Sequence, residues 1–144
     1  MTGPRPLDRI ARMRYGPPPK MPKTEVLFYQ DADGRSPIVE WLEHLRKMDT
    51  TAYAKCAAVI ERLAEHGFDL RRPTADLLED GIYELRAKRG RVNYRLLYFF
   101  HGRNVAIVAH GLTKEDVVPR ADIDRARRRR QAFASDPKQH TYSE

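Results

Sequence analysis

Arg86 and Arg95 flank a turn, Arg89-Gly90-Arg91, and Glu84 stands two residues before the first of them. Arginine suits a phosphate, because its planar fork donates to two oxygens at once and stays charged. If the segments on either side pair so that facing residue numbers sum to 181, Arg86 and Arg95 lie directly opposite. Two like charges directly opposite repel, so an anion held between them makes better sense of the pair than a purely structural role. A register slip of one residue would send them to opposite faces. The plainer reading makes each a solvated strand residue, or pairs it with Glu84 or Glu79. Arg95 interrupts an otherwise apolar and aromatic strand, which favours phosphate contact there; for Arg86 the two readings are closer. Glu84 either accepts a proton or holds an arginine in place, and the second is the commoner use.

Other residues could join such a site. His110 closes an apolar run just before Gly111 and near Lys114. Its side chain titrates near neutral pH and can act as acid or base, although a lone histidine at a strand end is more often structural. Lys114 would add a point charge. Lys88, Arg89 and Arg91 crowd the turn, as a clamp on a nucleic-acid backbone or as a solvated tip. Arg127 and Arg128 open a run of four arginines with the same two readings. Tyr94 and Tyr98 share one strand face, where they either stack bases or, more commonly, pack the core. The five histidines show no paired ligand spacing, so no metal site is expected, and no Walker A or Rossmann fingerprint occurs. Cys56, the only cysteine, excludes an intramolecular disulfide and reads as a core residue rather than a catalytic thiol.

The elements that must position these residues follow from periodicity. Glu25 to Gln30 reads as a strand stopped by Asp33-Gly34. Ser36-Pro37 starts a helix, with Ser as cap and Pro at its first position, and Ile38, Trp41, Leu42, Leu45 and Met48 follow at helical spacing. Asp49 can cap a second helix whose stripe is Tyr53, Cys56, Ala57, Ile60, Leu63 and Ala64, with Gly67 just past its end. So short a join predicts an antiparallel helical hairpin. The period then changes to that of strands over Ile82–Lys88, Val92–Phe100 and Val105–Leu112, a meander, with a shorter strand at Leu77-Leu78. A basic helix runs from about Ala121 to Phe133. This order predicts an α+β domain over residues 24–134, with a sheet whose helices cover one face and leave the other partly open.

At 144 residues, 41% hydrophobic and 33% charged, the chain suits one soluble domain, and no apolar run approaches the ~20 residues of a membrane span. The net charge of +7 is uneven: residues 1–23 carry six Lys/Arg and one Asp, whereas residues 24–70 carry five Lys/Arg and nine Asp/Glu. The segments around the sheet and the last helix are basic, which points to a polyanion partner on one side, or to a well-solvated surface. Residues 1–23, with six prolines, read as a basic extension, and Met21 as an alternative start; residues 135–144 read as a flexible tail. The absence of an apolar leader and the cysteine usage fit a cytoplasmic protein.

The stretches Gly81-Ile82-Tyr83-Glu84-Leu85-Arg86, Tyr94-Arg95-Leu96-Leu97-Tyr98-Phe99 and His110-Gly111-Leu112-Thr113-Lys114, in this order, resemble the HigB branch of the RelE/ParE toxin superfamily, over about residues 24–133. The resemblance implies a RelE-like fold and a ribosome-dependent mRNA endonuclease that uses no metal or other cofactor. It implies a cognate antitoxin as partner, often with a helix-turn-helix domain, so that DNA is met only through the antitoxin. Arg86, Arg95 and Lys114 match the basic positions of that family. Many relatives carry a tyrosine or histidine near the C-terminal end; here the segment after Lys114 reads Glu115-Asp116-Val117-Val118-Pro119, so the resemblance does not identify the acid or base. Cleavage by 2′-OH attack needs a proton acceptor, positive charge for the phosphorane-like transition state and a donor for the leaving 5′-oxygen. Two alternatives stand beside this reading: a non-enzymatic nucleic-acid or protein-binding module on the same fold, and a gyrase-directed toxin.

Overall fold

The computed structural model describes residues 24–113 and 117–143. Among them run β1 (Glu25–Phe28), α1 (Pro37–Met48), α2 (Thr50–His66), a 3-10 turn (Gly67–Asp69), β2 (Ala75–Glu79), β3 (Ile82–Arg89), β4 (Val92–Phe100), β5 (Val105–Thr113) and α3 (Arg120–Ser135). The fold is α+β, with three helices and one five-stranded mixed sheet among these residues. The strand order is β1-β5-β4-β3-β2, with β1 parallel to β5 and every other pair antiparallel.

Local chemistry explains the helical hairpin. Ser36 caps α1 by accepting from the Val39 N–H, and its hydroxyl donates to the Tyr29 carbonyl at 2.6 Å. Asp49 is at once the last cap of α1 and the first of α2, where its Oδ1 accepts from the Ala52 N–H at 3.0 Å. A one-residue join forces the chain to reverse, so both apolar stripes meet one sheet face. Ile38, Leu42, Cys56, Ile60 and Leu63 are fully buried there against Leu85, Leu96 and Val108. Gly111 lets the indole of Trp41 lie directly on β5; a Cβ would come within 2.5 Å of that ring.

The second sheet face is not open, contrary to the expectation that helices cover one face only. Ile123, Ala126 and Phe133 of α3 pack on Leu97, Phe99, Ile107 and Ala109. The reason is legible in β4, whose run Leu96 to Phe99 is buried on both faces, as strands covered on both sides are. The narrow apolar stripe of α3 is hidden among arginines in the sequence.

The first strand and the chain's end also differ from expectation. β1 stops at Phe28; Tyr29 still donates its N–H to the Val108 carbonyl of β5 at 3.1 Å and also bridges Thr141. The segment expected to be a flexible tail instead docks on β1. Tyr142 N–H donates to the Phe28 carbonyl at 2.8 Å, Gln30 N–H donates to the His140 carbonyl at 2.9 Å, and the His140 ring stacks on Tyr29 at 5.4 Å. These contacts satisfy backbone groups that an uncovered edge strand would leave to a stranger. Residues 1–23 and Lys114, with the readings placed on them, lie outside the described residues.

Candidate active site

The hairpin of β3 and β4 pairs Arg86 with Arg95, the register in which the two guanidinium groups share a face. Glu84 lies on that same face by strand alternation, opposite Leu97. The two arginines coexist because Glu84 stands between them. Its Oε2 accepts from Arg86 Nε at 2.8 Å and its Oε1 from Arg95 Nη1 at 2.7 Å. Glu84 is 1% exposed, so both oxygens exchange water for guanidinium. Such a buried carboxylate is tolerable only while paired.

The cluster continues across the neighbouring strand. Asp76 of β2 pairs with Glu84 in register, and its Oδ2 accepts from Arg86 Nη2 at 3.2 Å and from Arg72 Nη2 at 2.8 Å. The Arg72 guanidinium beside Asp76 holds that carboxyl below its ordinary range. Charges therefore alternate along one line, Arg95–Glu84–Arg86–Asp76–Arg72, from the middle of the sheet to its β2 edge. The line presents two partly exposed guanidinium groups of fixed orientation. Among the described residues Arg86 commits Nε and Nη2, which leaves its Nη1 hydrogens for another acceptor. That is the equipment of an oxyanion or phosphate site.

His110 shares the sheet face of Arg95, opposite Leu97 on β5, but it is buried under α3. Its Nδ1 is 2.7 Å from Arg129 Nη1, so it accepts there, and the proton belongs on Nε2, which is 3.5 Å from Asp122. Burial, then the nearby Arg129 and Arg125, push its pKa down to about 3. His110 is therefore neutral at pH 7, with one nitrogen committed to an arginine.

The remaining candidates divide. Lys88 shares the face of Arg86 by alternation and is exposed, as is Arg91 at the hairpin tip. Arg89 points to the opposite side and pairs with Asp49 at 3.1 Å. Arg127 is bound to Glu79 and to Asp124, whereas Arg128 is exposed, with no carboxylate partner among the described residues. Arg120 joins Arg127 on Glu79, and the two hydrogen-bonded guanidinium groups lower that carboxyl to about 2. Tyr94 and Tyr98 belong to the core under α1 and α2, not to the face of Arg95. Burial pushes the Cys56 thiol up to about 12, so it is inert.

A family model described as "Phage derived protein Gp49-like (DUF891)" matches residues 43–131, from within α1 into α3. The chain belongs to the Gp49-like family. This is a family of RelE/HigB-like toxins of toxin–antitoxin systems, which implies a cognate antitoxin. No curated protein matches the chain. The matched stretch holds every strand of the arginine line and the hairpin that aligns it; β1 and the docked C-terminal segment of this Gp49-like protein fall outside.

Sequence reasoning missed Asp76, Arg72 and Arg129. The register of β2 would have placed Asp76 beside Glu84, but the Leu77-Leu78 run gives no register. Arg129 carried a usable signal: it follows Ile123 and Ala126 at helical spacing and so falls on the buried stripe of α3. There it lies 5.7 Å from the Tyr29 ring centre, and burial lowers its pKa. Among the described residues no helix is long and apolar enough to cross a membrane, and no three His, Cys, Asp or Glu side chains gather as metal ligands would.

Proposed function

We propose that this Gp49-like toxin is a metal-independent endoribonuclease that cuts messenger RNA on the ribosome by attack of the 2′-OH on the adjacent phosphorus. The observation that carries the reading is the facing pair Arg86 and Arg95, clamped by the buried Glu84. A toxin with only a protein target has no need of two guanidinium groups held side by side at that cost. Arg95 and Arg86 bind the scissile phosphate and stabilise the charge that builds on its equatorial oxygens. Glu84, with both oxygens committed, is a positioning residue. Lys114 follows Thr113, whose strand partner is Tyr94, and would supply a third cation and a proton for the leaving 5′-oxygen. His110, neutral and covered, supports α3 and fixes Arg129 rather than meeting the substrate. Lys88, Arg91 and Arg128 meet the RNA backbone or ribosomal RNA, and the ribosome contributes the proton acceptor. The antitoxin holds the toxin inactive.

The test is cleavage of a message in a purified translation mixture, with the end chemistry of the products read for the wild type and Arg95→Ala. The expected products carry the 2′,3′-cyclic phosphate ends of 2′-OH attack, and Arg95→Ala lowers the rate by about 10²–10³-fold. Products with 3′-hydroxyl ends, as water activated by a metal would leave, would overturn the proposal. A second reading, a non-enzymatic RNA-binding module, is favoured by one observation: Glu84 and Asp76 already occupy the arginines. It predicts RNA binding without any product.

A further inference from the structure

A cleft of about 510 Å³ opens at the β2 edge, on the sheet face opposite Arg86, between the 3-10 turn and β2. Its size falls in the ~300–1,000 Å³ range of small-ligand sites. The walls are Phe68, Leu77 and Tyr83, with Arg71, Arg72 and Asp76 at the rim. Phe68 and Leu77 are 42% and 53% exposed, costly positions for large apolar side chains that nothing among the described residues covers. One face of the Phe68 ring lies on Phe100 at 3.9 Å, nearly parallel, and Tyr83 stacks on Tyr98. Arg71 bonds the carbonyls of Phe68 and Leu70 and so fixes the turn that carries Phe68.

We infer that this cleft takes one base of a single-stranded RNA whose phosphate sits on Arg86 and Arg95. The inference rests on the RNA-cleaving reading and extends it by a base subsite. Two observations connect the places. Asp76 Oδ2 accepts from Arg72 at the cleft rim and from Arg86 in the arginine pair, so cleft and site meet at one oxygen. The line from Arg95 to Arg72 sets three guanidinium groups against two carboxylates around the β2 edge, an excess of positive charge along the path that a nucleotide backbone would follow. Exposed aromatic faces next to such a track are the arrangement that stacks unpaired bases without regard to sequence. A protein strand fits less well. The register of β2 shifts between Leu77 and Glu79, and the Leu77 N–H donates to Asp76 Oδ1, so the edge is blunted against strand addition.

The full-length protein would be crosslinked to single-stranded RNA carrying 4-thiouridine, free and on translating ribosomes, and the attached peptide identified by mass spectrometry. Crosslinks are expected within residues 68–83. Leu77→Asp, which puts a carboxylate in the cleft, and Phe68→Ala, which removes the stacking face, each lower their yield about tenfold. Phe68 and Leu77 are both exposed, and the urea midpoint checks that both variants fold. RNA cuts without crosslinks in 68–83 would overturn the base subsite and leave the cleavage reading intact. Crosslinks there without cuts would sustain the subsite and refute the cleavage reading. Protection of 68–83 from hydrogen exchange by a co-purified protein, with no RNA crosslink, would give the cleft to that partner and overturn the inference.

Discussion

Replacing Glu84 by Gln removes one charge and keeps the shape. Glu84 accepts one charge-assisted bond from each arginine, at 2.8 and 2.7 Å. Such bonds contribute about 1.5–3 kcal/mol each. The glutamine oxygen can still accept from Arg95, as a neutral acceptor of about half the strength. Its amide then meets Arg86 donor to donor, and that bond is lost outright. Arg86, with a side chain 36% exposed, recovers part of the loss by turning to water and keeping Asp76. The balance is a destabilisation of about 3 kcal/mol, for one neutralised bond and one lost. Trp41, the only tryptophan, reports unfolding from its place on Gly111. With a urea slope of about 2 kcal/mol per molar, the midpoint falls by roughly 1.5 M. The double variant with Arg95→Met should lose less than the sum of the two single losses, since both changes act on the same pair. A midpoint shift below about 0.3 M, or full additivity in the double variant, would refute the idea that Glu84 organises the arginines.

Gly111→Ala drives a Cβ to within 2.5 Å of the Trp41 ring, so it should cost about 1–3 kcal/mol and shift the Trp41 emission; unchanged stability and emission would mean that the ring does not lie there. The His110 pKa of about 3 lies below its unfolded value of about 6.5, so the unfolded chain binds the extra proton between the two. Stability is therefore fully present above about pH 6.5 and falls toward pH 3 by up to ~1.4 kcal/mol per unit from this group. In His110→Asn, urea midpoints at pH 7, 5.5 and 4.5 should show that slope reduced by about one proton, and an unchanged slope would contradict the buried neutral imidazole. Removing residues 137–144 takes away the Tyr29–His140 stack and the two backbone bonds that tie the chain end to Phe28 and Gln30, a loss of about 3 kcal/mol that lowers the urea midpoint by roughly 1.5 M. An unaltered midpoint would show that this segment is not docked.

Much of this architecture was legible because it is local. Ser36-Pro37 and Asp49 cap the helices as their chemistry dictates, and the turn at Gly90 sets the register that makes Arg86 face Arg95. What failed depended on contacts distant in sequence. The arginines of α3 read as one basic run, yet Arg129 is half buried against His110, Arg127 is bound to Glu79 and Arg128 faces solvent. Helical phase relative to Ile123 and Phe133 separates them, but only once the covering of the second sheet face is known. The site was legible in the same degree. Glu84, Arg86 and Arg95 followed from one hairpin, whereas Asp76 and Arg72 join through β2, whose bulge after Leu77 no pattern announces. The docked chain end was unreadable because Thr141 and Tyr142 bond to β1 through backbone atoms, which every residue has.

The most direct test of the central claim is to express the protein briefly in cells and map the 5′ ends of messenger RNA, with Arg95→Ala alongside. Urea unfolding shows whether the variant keeps its fold, and Arg95→Lys serves as a second variant that retains charge without the fork. The account predicts new cuts within translated regions that vanish in Arg95→Ala and fall steeply in Arg95→Lys. Growth arrest without cuts, or cuts of equal yield in a folded Arg95→Ala variant, would contradict it.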